Sequence, residues 1–440
     1  MRIGFVPIDN RPVCFTLPEQ ISMIDKDIEL FLPERSWLGD LNKYADVEKL
    51  FEWLENLLDL DAIIISLDTI AYGGLISSRR SSDSFVEIKT RIERLKEILK
   101  TKGTKIYAFS SIMRISNNNI NEEEKEYWSK WGKKIFNYSY CMDKFGSICK
   151  KEVPDEILDD YLKTRERNFE INKIYLNWQK EGFFETLIFS KDDCAEYGFN
   201  VQEARTLEAL GGFVKTGADE IPLSLLARAV HGKVKIAPIF LEPDQKDLIS
   251  NYEDLSIEKS VLGQIELAGC EVADVDSADV LLYINNFIDN QGEIVMGVHT
   301  KPFNGVWNSP GCPYMIADVR FANGADNNLV EHFEKFDNNF YGFAAWNTSA
   351  NTLGSLLCAA KIKFLAQAYN DLAFKKLQVV RLLDDWAYQA NVRQNKPDLI
   401  GLNSEMKNFE NRVFNLLSEK FNLSYKFPWN RLFEVEIEFN

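Results

Sequence analysis

The chain has 440 residues, 45% of them hydrophobic and 12% aromatic, and carries a formal net charge of −16. That apolar content supports a real core and excludes disorder as the default, and the length points to two domains or one large α/β unit. The acidic balance repels phosphate backbones and anionic lipid surfaces, which argues against nucleic-acid and membrane partners.

In chain order, "RIGFVPI" (2–8) and "IELFL" (28–32) read as strands. "VEKLFEWLENLLD" (47–59) has helical spacing, with Leu50, Phe51, Leu54, Leu57 and Leu58 on one face. "DAIIISL" (61–67) is an unbroken run dominated by β-branched residues, as expected of a strand buried on both sides. An amphipathic helix over 84–100 ends near Gly103, and "KIYAFSSI" (105–112) is the next strand. Residues 121–182 are charged, aromatic and helical, with Pro154 dividing two long segments. They read as a helical hairpin inserted between strands beside the site, either a lid or a plain packed pair. Strands follow at 186–190, 212–216 and 234–240, separated by helices near 201–210 and 219–230. A helix over 255–268 leads to "CEVADV" and "DVLLYIN", and "YGFAAWNT" (341–348) precedes a helix over about 351–371. The tail is mostly helical and closes on "FEVEIEF", which alternates like an edge strand.

Strands separated by helices imply parallel sheets with right-handed crossovers. The expected fold is two Rossmann-like α/β lobes around a cleft, residues 1–230 with the insertion at 121–182 and residues 231–440; a TIM-like barrel with additions is the alternative. No apolar run at the N-terminus is long enough for a signal peptide, and none approaches the ~18 residues of a membrane span. The seven cysteines lack CxxC spacing and read as free thiols in a reducing cytoplasm. Cys194, beside two aspartates but far in sequence from any histidine, is disfavoured as a nucleophile.

Parallel α/β folds place their sites at the carboxyl ends of strands. Polar residues gather there again and again: Asp9, Asn10 and Arg11; Asp68, Tyr72 and Arg79; Arg114; Asp192 and Asp193; Asp219 and Glu220; Asn285; Asn323; Trp346 and Asn347. Any one of these acids fits a helix cap, and Asn351 reads as the cap of its own helix. Together, these strand ends point to a ligand cleft. "YGGLISS" lacks the lysine of a P-loop and the spacing of GxGxxG, which disfavours nucleotide binding. His231, His299 and His332 are too scattered for a histidine zinc site.

The ordered motifs "PIDNRP", "SLDTIAYGGLISSR", "SKDDCAEYG", "GADEIPLSLLARA", "ADVRFANGAD", "AWNTSANTLG" and "FPWNRLFEVE" cover nearly the whole chain. Together they resemble the bacterial family catalogued as domain of unknown function 4127, a resemblance that implies no established activity. Ala345 before Trp346 departs from the family's usual "GWNT".

Function is therefore read from the residues. Asp192, Asp193 and Asp68 are the catalytic candidates of a glycoside-hydrolase-like hydrolase acting on a carbohydrate. Asp9, Asn10, Arg11, Tyr72, Arg79, Arg114, Asp219, Glu220, Asn285, Asn323, Trp346 and Asn347 are its substrate-binding candidates. No cofactor is expected. A divalent-metal enzyme with Asp9, Asp68, Asp192 and Asp193 as oxygen ligands is one alternative, and a non-catalytic small-molecule sensor is another.

Overall fold

Short apolar runs become the strands of two open parallel sheets. The computed structural model describes residues 1–147, 152–192 and 194–440. They fall into two compact units. The first comprises residues 1–15, 29–222 and 252–254, and the second residues 16–28, 223–251 and 255–440.

The first unit contains β1 (Arg2–Val6), β2 (Glu29–Phe31), β3 (Ala62–Ser66), β4 (Lys105–Ile112), β5 (Thr186–Lys191) and β6 (Phe213–Thr216) in the order β2-β1-β3-β4-β5-β6. All its pairings are parallel. Every residue of β3 is buried, as its apolar run requires between two helical layers. The strand order reverses between β1 and β3. In doubly wound sheets that switch point opens a crevice at the carboxyl ends, where ligands bind.

The second unit contains β7 (Lys235–Phe240), β8 (Glu271–Val272), β9 (Val280–Asn285), β10 (Gly292–Glu293), β11 (Tyr314–Asp318), β12 (Phe321–Ala322), β13 (Phe340–Ala344), β14 (Leu423–Lys426) and β15 (Glu436–Phe439). Its main sheet runs β13-β11-β9-β7-β8, again all parallel. Read from β8, this is the order of the first five strands of the other unit, with its switch point between β7 and β9. Two open sheets replace the barrel alternative. The closing alternation pairs antiparallel as β14–β15.

The 121–182 region is two helices, Trp128–Phe145 and Asp155–Lys180, with Pro154 at the N-cap of the second. Its parts differ in kind. Ile171, Tyr175, Leu176 and Trp178 join the main core under β3, β4 and β5, so the second half of the long helix is an ordinary crossover. Trp128, Ile135, Phe136, Leu158 and Tyr161 form a smaller core with Met113 and Ile115, which follow β4. That end of the hairpin therefore lies at the carboxyl side of the sheet.

Three expectations need correction. The helix expected over 351–371 is two, Ser349–Leu365 and Asp371–Arg381. Between them Ala368 accepts from the Lys26 N–H and Asn370 donates to Ile24, so the backbone bonds outside the helix. The first of these helices is capped by Thr348, whose side chain accepts from the Asn351 N–H, and not by Asn351. Cys141 is disulfide-bonded, whereas Cys14, Cys194, Cys270, Cys312 and Cys358 are free. Cys141 therefore departs from the free thiols expected of a reducing compartment; Cys149 lies outside the described residues.

One element was not expected at all: Leu382–Val392 is π-helical. Such turns are rare and concentrate at functional sites. Among the described residues, no helix is long and apolar enough to cross a membrane.

Candidate active site

The turn after β1 is built by its own side chains. Asp9 accepts from the Arg11 N–H at 3.0 Å and pairs with the Arg11 guanidinium at 2.8 Å. Arg11 also donates to both oxygens of Asp219, at 2.6 and 3.1 Å. All three side chains are buried. Strands β1 and β6 stand four strand spacings apart, roughly 19 Å. Since Arg11 and Asp219 nevertheless touch, the loops after these strands must lean toward each other over the carboxyl edge of β3, β4 and β5. Asp219 is thus half of a buried ion pair and no mere helix cap. Burial pushes its carboxyl up, Arg11 opposes that, and Asp9 and Glu123 reinforce it.

A second group of ion pairs covers the ends of β3, β4 and β5. Arg79 faces Glu123 at 3.5 Å, Glu124 at 3.3 Å and Asp192 at 4.0 Å. Arg114 faces the same three acids at 2.9, 3.2 and 3.6 Å. Asp192 is thus a partly buried carboxylate held between two guanidinium groups. Lys191, the last residue of β5, pairs with Asp254 at 2.6 Å, and Thr216 at the end of β6 donates to the same acid at 3.0 Å. Glu123, Glu124 and Asp254 were not singled out in the sequence. The first two sit in the acidic run "NEEEKEYW", which reads as a solvated surface.

Asp68 stands apart from these pairs. It lies in the first turn of the helix Leu67–Tyr72 and is 1% exposed. Its Oδ2 accepts from the Ser111 N–H on β4 at 2.7 Å. Its Oδ1 is buried with no hydrogen-bond partner among the described residues. Burial raises its pKa to about 7, while the Ser111 hydrogen bonds and the positive charge of Arg79 pull the other way. Arg79, 2% exposed, keeps Nη2 without a hydrogen-bond partner among the described residues. Buried polar groups are normally satisfied, so an unmatched acceptor and an unmatched donor in one charged neighbourhood mark a place where a ligand atom would bond.

The other candidates of this unit fall as follows. Tyr72 is packed in the core with Arg167 above its ring, and burial pushes its hydroxyl far up. The backbone of Asn10 donates to Gly39 and accepts from Arg35. Glu220 is buried and accepts from the Ala218 N–H; burial raises it to about 8, with Asp219 and Glu253 adding repulsion. Asp193 lies outside the described residues.

The second unit carries its own network at its strand ends. Asp318 closes β11 and accepts from Asn285 at 2.8 Å, from the Arg320 N–H at 3.3 Å and from the Asp326 N–H at 2.6 Å. Arg320 donates to Asn285 at 3.0 Å and to Glu242 at 2.8 Å. The Asp-x-Arg turn seen after β1 thus recurs after β11. Asn323 and Asn347 both adopt positive φ, and the Asn323 N–H donates to Asn347 O at 2.9 Å. Asn323 Oδ1 and Trp346 Nε1 are buried without partners among the described residues. Asp385, on the π-helix, accepts from the Ala345 N–H at 2.7 Å.

Among the described residues, no three of His, Cys, Asp and Glu are grouped as a metal ion would need. Arg11, Arg79, Arg114 and Lys191 face the acids in the first unit, and Arg320 faces them in the second.

A family model described as protein of unknown function (DUF4127) matches residues 3–438. No curated protein and no solved structure matches the chain.

Proposed function

As the chain belongs to this family, whose description assigns no activity, we propose a function from the residues: hydrolysis of a polar, carbohydrate-type substrate by acid–base chemistry at the strand ends of the first unit. Glycoside cleavage uses two carboxyl groups whose surroundings push their protonation states apart. Asp68 supports the acid role. At about 7, its carboxyl still holds a proton near neutral pH, and Oδ1 has no internal partner among the described residues. Asp192 supports the second role, as a carboxylate between Arg79 and Arg114. Arg79 connects the two, since it faces Asp192 and also acts electrostatically on Asp68. In this reading Asp68 passes its proton to the leaving-group oxygen as the glycosidic bond breaks. Asp192 faces the anomeric carbon, directly or through a water.

The observation that carries the proposal is the buried, proton-holding and half-unsatisfied carboxyl of Asp68. A panel of aryl glycosides tests it with the wild type, Asp68→Asn and Asp192→Asn. Loss of the general acid lowers the rate by ~10²–10⁴, and by less when the leaving group is already acidic. Failure of the wild type to turn over any of the panel, or full turnover by both variants, contradicts the reading.

A further inference from the structure

The second unit holds a cavity of about 610 Å³ that none of the strand-end chemistry uses. It lies at the amino end of β13, where Phe340 begins the strand. Lys363, from the helix Ser349–Leu365, lines it. Its Nζ donates to Phe340 O at 2.6 Å and sits 3.8, 4.7 and 5.4 Å from the ring centroids of Phe374, Tyr341 and Tyr369. One carbonyl and three rings hold this ammonium, and among the described residues no carboxylate comes within ion-pair distance of it. Burial accordingly pulls its pKa down to about 8.

The other charged groups of the cavity are already assigned, with one exception. Lys375 pairs with Asp371 at 2.8 Å and approaches Glu419 at 3.7 Å, and Asp337 accepts from the Asn339 N–H at 2.9 Å. Lys335 is exposed and has no ion pair among the described residues. On one side Phe336 stacks on Phe340 with centroids 3.7 Å apart. Two lysines without a close ion pair therefore line a ligand-sized cavity with aromatic walls, and Asp371 and Asp337, in the same lining, act on Lys363 only from beyond ion-pair distance.

We propose that this cavity binds a small organic anion, with its carboxylate or phosphate head on Lys363 and Lys335 and its apolar body against Phe336, Tyr369 and Phe374. The lysines supply charge-assisted hydrogen bonds to the head group, and the rings cover the body. The proposal is independent of the Asp68 chemistry.

Isothermal titration of the full chain with benzoate, and separately with inorganic phosphate, tests it at low salt. Benzoate carries a head and a ring, whereas phosphate carries a head alone. Benzoate is expected to saturate and to bind more tightly than phosphate. Lys363→Met should weaken it by about tenfold, the worth of one charge-assisted hydrogen bond. Should that variant fold poorly because Phe340 O loses its donor, Lys335→Met on the surface is expected to weaken binding without changing the unfolding midpoint. The Lys363 amine, followed by NMR after reductive ¹³C-methylation, should titrate at higher pH with benzoate bound. Phosphate binding as tightly as benzoate overturns the role of the rings. Absence of saturation, or unchanged affinity in both variants, overturns the site.

Discussion

Asp68 and Arg11 are both buried ionisable residues at strand ends, and the fold treats them in opposite ways. Arg11 is fully engaged by Asp9 and Asp219. Removing one partner of a buried pair leaves the others uncompensated and costs roughly 3–5 kcal/mol. Arg11→Met strands two acids and should destabilise the chain by about that much in urea unfolding; a loss below about 1 kcal/mol would make the pair incidental. Asp68 is left half-satisfied instead. Its folded pKa stands above the usual carboxylate value, so the folded state disfavours its charge. At pH 8 the wild type must ionise it inside the fold, while Asp68→Asn need not. That variant should therefore be at least as stable as the wild type at pH 8 while losing turnover, the pattern of a residue kept for chemistry. A clear drop in its urea midpoint at pH 8 would identify Asp68 as structural.

The long helix Asp155–Lys180 serves two purposes along its length. Its second half carries the main core through Ile171, Tyr175 and Trp178, and its first half joins the smaller core beside the strand ends. Ile171→Ala should cost about 2–5 kcal/mol, as buried large-to-small changes do, and excision of the whole 121–182 region should prevent folding. A folded excision variant would restore the simple inserted hairpin. The regular elements were legible because their periods are clean: "AIIIS" is apolar without interruption, and the helix Phe85–Lys100 has a full capping box at Ser84 and Glu87. Asp9 and Asp68 were legible by position alone, just past strands. Glu123 and Glu124 were not, because nothing local tells an acidic surface run from one that folds back onto Arg79 and Arg114. The π-helix was not legible either, since its apolar spacing differs little from an α-helix over two turns. Strand β11 was not read as a strand, because no helical pattern leads directly into "YMIAD"; only polar residues just past it were picked out.

Across the whole molecule, acids are buried at the carboxyl ends of both sheets and elsewhere. Burial raises Asp68 and Glu203 each to about 7 and Glu220 to about 8, and it lifts Asp318 and Asp384 in the same direction. A carboxyl whose folded pKa lies above its unfolded value near 4 keeps its proton longer when folded. Between about pH 4 and 7 the folded chain therefore holds protons the unfolded chain has shed, and stability falls as pH rises, by up to about 1.4 kcal/mol per pH unit for each such group. The urea midpoint should be higher at pH 5.5 than at pH 8; the reverse order would mean that these acids are ionised at little cost. The central claim rests on one of them. The most direct measurement is ¹³C NMR titration of carboxyl-labelled aspartate, with the Asp68 resonance identified by its loss in Asp68→Asn. A midpoint near 7 is the predicted result. A midpoint near the ordinary value of about 4 would leave no proton on Asp68 at neutral pH and would contradict its role as the acid.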